Sequence, residues 1–430
     1  MDGVILIIDG RAMKKQVNIK KSGKRTHEIQ HVVSKLVRNG KVNEKGGLTY
    51  FANDVGFDST KTVVLLNQMI TMGNAELMFD KGKIITKAIL ECIKNDREDA
   101  DFFLSAMESI LGEMQNTRES SFYVLTEISF DVNICMRREW VFDGCKLTLS
   151  ESFDDMFNSR KIFLREKHCY GESRKYTHVT VKVKSKTPKG ALAKGIRALN
   201  IFRSLCCFDT YNVDSVIAGH LAHVNNLRIG RYQTVHDSKG EVFRNCFRHN
   251  EKFSQERNLV LFEKGEAGVI ERNVAHHLSS ISNCKYSNII ESALVRYVSA
   301  IDECDSDISI VKLWGALEQI LAHGESNCDK VPDRAAAVFH NDVSIKEWVF
   351  NIRDYRNKYI HEGESGDLSS NLKCRLSYIF KWVIVSFLRK KKNSVNDVLV
   401  ILDFASKGNE YLMLKEDEIR EARELIGTGS

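Results

Sequence analysis

From Ala267 onward the apolar residues of this chain fall almost without exception at helical spacing, and that constrains the fold more than any other feature. Asn288–Asp302 carries Ile289, Ile290, Ala293, Leu294, Tyr297 and Ile301. Ile308–Ala322 carries Ile308, Val311, Trp314, Leu317 and Leu321. Asp333–Phe339, Ile345–His361 and Leu368–Arg389 follow, and Val398–Phe404 adds a terminal apolar segment. Stripes this wide bury only against each other, so four or five such helices joined by short turns predict an up-and-down bundle.

Upstream the periods change. Residues from about 25 to 115 read mostly as helices, with apolar periodicity over His27–Leu36, Lys61–Ile70 and Ile85–Ile93. Leu48–Phe57 as a short helix with a Gly turn, Lys61–Met69 as a second helix, and Gly73–Ile85 with a hairpin expected around Phe79–Lys83 resemble a winged helix-turn-helix. Few side chains there suit base edges, which favours protein contact or a structural role over DNA binding. A polar stretch at Gln115–Ser121 marks a boundary. Beyond it Ser121–Ile134 and Thr177–Lys186 alternate as strands, and Pro188 opens a helix with Ala191, Ile196, Leu199, Phe202 and Leu205 on one stripe. The expected fold class is therefore α+β and multidomain. A mostly helical region spans 1–115, a basic α+β domain 116–265, the helical bundle 266–405 and a tail 406–430, whose last four residues Gly427–Ser430 read as a cloning scar.

Charge and cysteine usage narrow the partners. Net charge is only +6, yet between Glu151 and Val260 20 Lys+Arg face 11 Asp+Glu, which leaves −3 for the rest. Such a segment suits either a phosphate backbone or a solvated surface. Lys182, Lys184 and Lys186 share the polar face of one strand, as either an RNA-facing row or edge protection. The 11 cysteines include no CxxC pair, and neither His220/His223 nor His276/His277 has companions at ligand spacing. Reduced buried thiols and no metal site are expected. No apolar run approaches the ~18 residues a spanning helix needs. The N-terminal run MDGVILIIDG lacks a charged leader, so it reads as the first element of a cytoplasmic protein with no membrane partner.

The chemistry concentrates at Arg353–Gly363. Ile345, Trp348, Val349, Ile352, Tyr355 and Tyr359 form a buried stripe, while Arg353, Asn357 and His361 stack at i, i+4 and i+8 on the polar side. Arg356 precedes His361 by five residues, about 140° around a helix. The two converge only if the helix distorts near Gly363 or if two copies meet. A guanidinium binds phosphate in a fork, and an imidazole moves protons near neutral pH, the two functions a metal-free ribonuclease needs. Cations near a helix C-terminus are the plainer account.

Three blocks give these residues a context: Leu313-Trp-Gly-Ala-Leu-Glu-Gln-Ile, Asp333-Arg-Ala-Ala, and Arg353-Asp-Tyr-Arg-Asn-Lys-Tyr-Ile-His-Glu-Gly. In this order, over about residues 285–390, they resemble the HEPN superfamily, most closely the Apea-like HEPN domains of bacterial defence proteins. The third contains that family's R-x4-H motif as Arg356 and His361. The resemblance implies a cofactor-free, metal-independent endoribonuclease acting on tRNA or another structured RNA in anti-phage defence. It implies a homodimer in which two motifs share a cleft, with a trigger or inhibitor protein as a further partner. Arg356 would bind and polarise the scissile phosphate, His361 would transfer protons, and Asn357 would orient the phosphate or the histidine by side-chain hydrogen bonds. Glu318 would support the site or pair with Arg334 or Arg353, and Arg353 would contact RNA or form a surface salt bridge. The alternative is a non-catalytic HEPN module that binds nucleic acid or protein. A metal-dependent enzyme has little support, since no HExxH, Walker glycine loop or GxSxG is present.

Overall fold

The computed structural model describes residues 24–51, 58–129, 138–169, 176–209, 224–225, 227–251, 264–364, 366 and 368–426, with short pieces at 7–8, 11–12 and 18–19. His220, His223, Phe130, Val132 and Gly427–Ser430 lie outside these, as does most of the N-terminal apolar run. The chain divides into two compact units, one of residues 1–123, 183–194 and 235–238, the other of 124–182, 195–234 and 239–430.

The first unit is built on helices α1 (Lys24–Arg38), α2 (Ser59–Met69), α3 (Ala75–Met78), α4 (Lys81–Lys94) and α5 (Ala100–Asn116). Three aspartates start three of them. Asp58, Asp80 and Asp99 each accept a hydrogen bond from a backbone N–H three residues on, satisfying a donor the first turn leaves open. Val33, Leu36, Leu66, Ile84, Ile85, Ile89, Phe103 and Met107 close the core. The hairpin expected around Phe79–Lys83 is not formed, because the Asp80 cap turns that stretch into the first turn of α4. Leu48–Tyr50, expected to begin a helix, pairs instead as a strand with Gly40–Val42. Asn43 drives that turn by accepting from the N–H groups of Lys45 and Gly47, with Gly46 at φ 74.

The second unit holds most of a six-stranded sheet and all of the C-terminal helices. Strands β1 (Ser120–Ile128), β2 (Glu139–Phe142), β3 (Cys145–Ser150), β4 (Thr177–Ser185), β5 (Tyr232–His236) and β6 (Val242–His249) lie in the order β6-β5-β1-β4-β3-β2. Asp143 and Gly144 both take positive φ and turn β2 back onto β3, placing Trp140 opposite Leu147. In β4 the alternation is realised: Val179, Val181 and Val183 are buried, and Lys182 and Lys184 are exposed. Helix α6 (Ser159–Glu166) precedes that strand. Helix α7 (Pro188–Asp209) follows it and buries the predicted stripe, with Phe202 against Trp140 at 5.4 Å between ring centroids.

From residue 264 the described chain is helical: α8 (Lys264–Ser282), α9 (Ser287–Ile301), α10 (Ser306–Leu321), α11 (Val331–Val338), α12 (Val343–Glu362), α13 (Ser369–Arg389), α14 (Val395–Ala405) and α15 (Gly408–Leu425). Helix α10 is the hub, packing on α9, α11, α12 and α13. It buries Ile310, Leu313, Trp314, Leu317, Ile320 and Leu321, each side chain contributing about 1.5–3 kcal/mol of transfer free energy. Tyr297 of α9 and Phe380 of α13 stack 4.8 Å apart. Within the stretch read as a tail, α15 buries no residue and carries short-range ion pairs, Lys415 with Glu418 and Arg420 with Asp417. Among the described residues no helix is long and apolar enough to cross a membrane.

Candidate active site

Helix α12 carries the R-x4-H residues, and its ends are well specified. Asp342 caps the start by accepting from the Ser344 N–H. Gly363 ends it at φ 73, a left-handed conformation in which its N–H donates to the Tyr359 carbonyl at 3.1 Å. Ile345, Val349 and Ile352 are buried, whereas Trp348 is half-buried beneath the Arg375 guanidinium, 4.6 Å from its ring centroid. Tyr355 anchors the helix to the start of α10. Its hydroxyl donates to Asp307 at 2.6 Å and accepts from the Gly366 N–H at 2.8 Å. Burial, and then the Asp307 carboxylate, push that hydroxyl's pKa above the usual tyrosine value.

The helix runs unbroken from Val343 to Glu362, so nothing bends Arg356 toward His361. They remain about 140° apart around the axis and about 7.5 Å apart along it. Arg356 is half-buried. Its Nη1 donates to the Asn357 Oδ1 at 2.8 Å, and its Nε is buried without a hydrogen-bond partner among the described residues. His361 is exposed in the last turn, one turn beyond Asn357 on the same line.

Glu318 does not pair with Arg334 or Arg353. It accepts from the indole Nε1 of Trp314, one turn earlier on α10, and from the Cys328 thiol. Burial, and then Glu318, push the Cys328 pKa up to about 11, while the nearby Arg356 charge works the other way. Cys328 thus lies near both Glu318, which accepts from its thiol, and the Arg356 guanidinium. Arg334 is taken by other groups: Glu325 and Asp403, each contacted through two nitrogen–oxygen bonds, and the Leu321 carbonyl. Arg353 stacks on Phe350 at 4.9 Å and sits 3.8 Å from Asp329 and 3.6 Å from Asp354, a surface ion-pair arrangement. Of the lysine row, Lys186 is used within its own unit, donating to the Gln115 carbonyl.

Two contacts escaped the sequence reading. The Trp314–Glu318 bond is an i, i+4 pair and was visible in principle. The Tyr355–Asp307 anchor spans 48 residues and left no local trace. Among the described residues no three His, Cys, Asp or Glu side chains gather closely enough to hold a metal ion.

Comparison of the chain with protein-family models, with characterised proteins and with solved structures gave no match.

Proposed function

We propose that this chain is a metal-independent endoribonuclease of the HEPN kind, working as a homodimer on tRNA or another structured RNA in bacterial anti-phage defence. The observation that carries the reading is Arg356. Its guanidinium is half-buried and held at one nitrogen by Asn357, and its buried Nε has no hydrogen-bond partner among the described residues. A phosphate oxygen is the acceptor such a fork fits.

In this mechanism the imidazole of His361 takes the proton of a ribose 2′-OH as that oxygen attacks phosphorus. The bond from phosphorus to the 5′-oxygen breaks, and the leaving oxygen receives a proton from the second imidazole of the dimer. Arg356 stabilises the charge that develops on the phosphoryl oxygens. The products are a 2′,3′-cyclic phosphate and a 5′-hydroxyl. Because α12 is regular, Arg356 and His361 of one copy point to different sides, and pairing of two helices brings four groups to one phosphate. A trigger or inhibitor protein would act on this pairing.

The test is cleavage of total cellular RNA in EDTA by wild type, His361→Ala and Arg356→Ala, repeated with phage-infected extract. Wild type should yield cyclic-phosphate ends, and both variants should lose about 10³-fold or more in rate while staying folded. Silence of wild type under both conditions would leave the non-catalytic binding module. Undiminished cutting by His361→Ala would refute the assigned chemistry.

A further inference from the structure

A second cluster of cations and aromatic rings lies away from the helix that carries Arg356. Helix α8 and the C-terminal half of α13 enclose a cleft of about 500 Å³ lined by His276, His277, Lys381, Trp382, Arg389 and Lys391, with no carboxylate among its lining residues. Three fixed cations thus face one space. Neither Arg389 nor Lys391 is in an ion pair among the described residues. Lys381 is positioned by donating to the Phe208 carbonyl, and its ammonium lies 5.8 Å from the Trp382 ring centroid.

The rings add a different character. His276 and His277 are 5.7 Å apart between centroids, and the buried Trp382 Nε1 has no hydrogen-bond partner among the described residues. Burial, then His276, Lys381 and Arg389, hold the His277 pKa down to about 4, so at neutral pH it is an uncharged donor and acceptor. Complementing the α13 dipole would account for Arg389 alone. It accounts for neither the imidazole pair nor a cleft sized for a small ligand rather than a lone phosphate.

We propose that this cleft binds a nucleotide, its phosphate on Arg389 and Lys391 and its base against Trp382 and the two imidazoles. The nucleotide is either free or one unit of an RNA strand. The chemistry is the same in both cases, and the site does not depend on the R-x4-H residues.

Calorimetric titration of the full chain decides it, with AMP, ATP, inorganic phosphate and a 2′-O-methyl hexanucleotide as probes. That strand has no 2′-OH to attack phosphorus, so the outcome is independent of whether the chain cuts RNA. Wild type should bind AMP or the hexanucleotide about tenfold or more tighter than the Arg389→Glu, Lys391→Glu double variant does. Both substitutions are on exposed side chains and should leave the helical circular dichroism unchanged. Binding of AMP and ATP identifies a free nucleotide, and binding of the hexanucleotide alone identifies a strand. No heat with any probe, an affinity indifferent to the double charge reversal, or inorganic phosphate binding as tightly as AMP would overturn the proposal.

Discussion

Two arginines on consecutive helices make opposite use of the same guanidinium. Arg334 on α11 is 1% exposed, and its fork is closed by Glu325, Asp403 and the Leu321 carbonyl. Arg356 on α12 has Asn357 as its hydrogen-bond acceptor, and its buried Nε has no partner among the described residues. A buried cation without matched acceptors costs free energy, so natural chains close such forks wherever folding is the only demand. Arg334 obeys that rule, whereas the half-buried Arg356 leaves one buried nitrogen without an acceptor among the described residues. The difference separates an arginine whose fork is closed within the bundle from one whose fork is only partly matched among the described residues.

Substitution should expose the contrast most strongly. Arg334→Met strands two carboxylates that are each about one-third exposed, and should cost about 2–4 kcal/mol in urea denaturation. Arg356→Met removes an unmatched Nε and should cost less than ~1 kcal/mol. Equal costs would erase the distinction.

Acid should act on the first arginine's surroundings. The Arg334 hydrogen bonds, helped by Lys330, hold the Asp403 carboxyl below the usual carboxylate pKa. A depressed carboxylate stabilises the fold above its unfolded pKa, and the contribution disappears as pH falls through the folded value. Wild-type stability should therefore fall on acidification from about pH 5 downward. Asp403→Asn, already without the charge, should fall less steeply over the same range. Parallel curves would show that Arg334 owes nothing to that carboxylate.

The smallest effect belongs to the end of α12. A Cβ at Gly363 would meet nothing within 4 Å, so Gly363→Ala should cost about 1 kcal/mol from its left-handed φ alone. That cost should add to Arg334→Met without coupling, as for separate sites. Strong coupling would mean that the two helices unfold through one shared contact.

Sequence periodicity was enough to locate α9 to α13 to within about two residues, because each buries a stripe against α10 or its neighbours. It also placed the Val179–Val183 face of β4. It failed where one polar side chain outweighs pattern: Asp80 converts an expected hairpin into a helix start, and Asn43 turns an expected helix into a strand pair. Charge pairs were harder still. Pairing Glu318 with Arg334 or Arg353 was reasonable from spacing, but Arg334 is claimed by Asp403, 69 residues later in the chain. No local window contains both partners. The residues of the candidate site were legible as a motif, whereas the Trp314–Glu318–Cys328 contacts behind Arg356 needed three dimensions.

The span between Arg334 and Asp403 also sets an order of assembly. A chain made from its N-terminus exposes Arg334, Glu325 and the whole of α12 to the cell before Asp403 has left the ribosome. Until then the guanidinium has only half its carboxylates. The loop that bears Glu325 also bears Cys328 and Asp329, the neighbours of Glu318 and Arg353. The loop beside Arg356 therefore gains its second anchor through Arg334 only once the helix that carries Asp403 has been made.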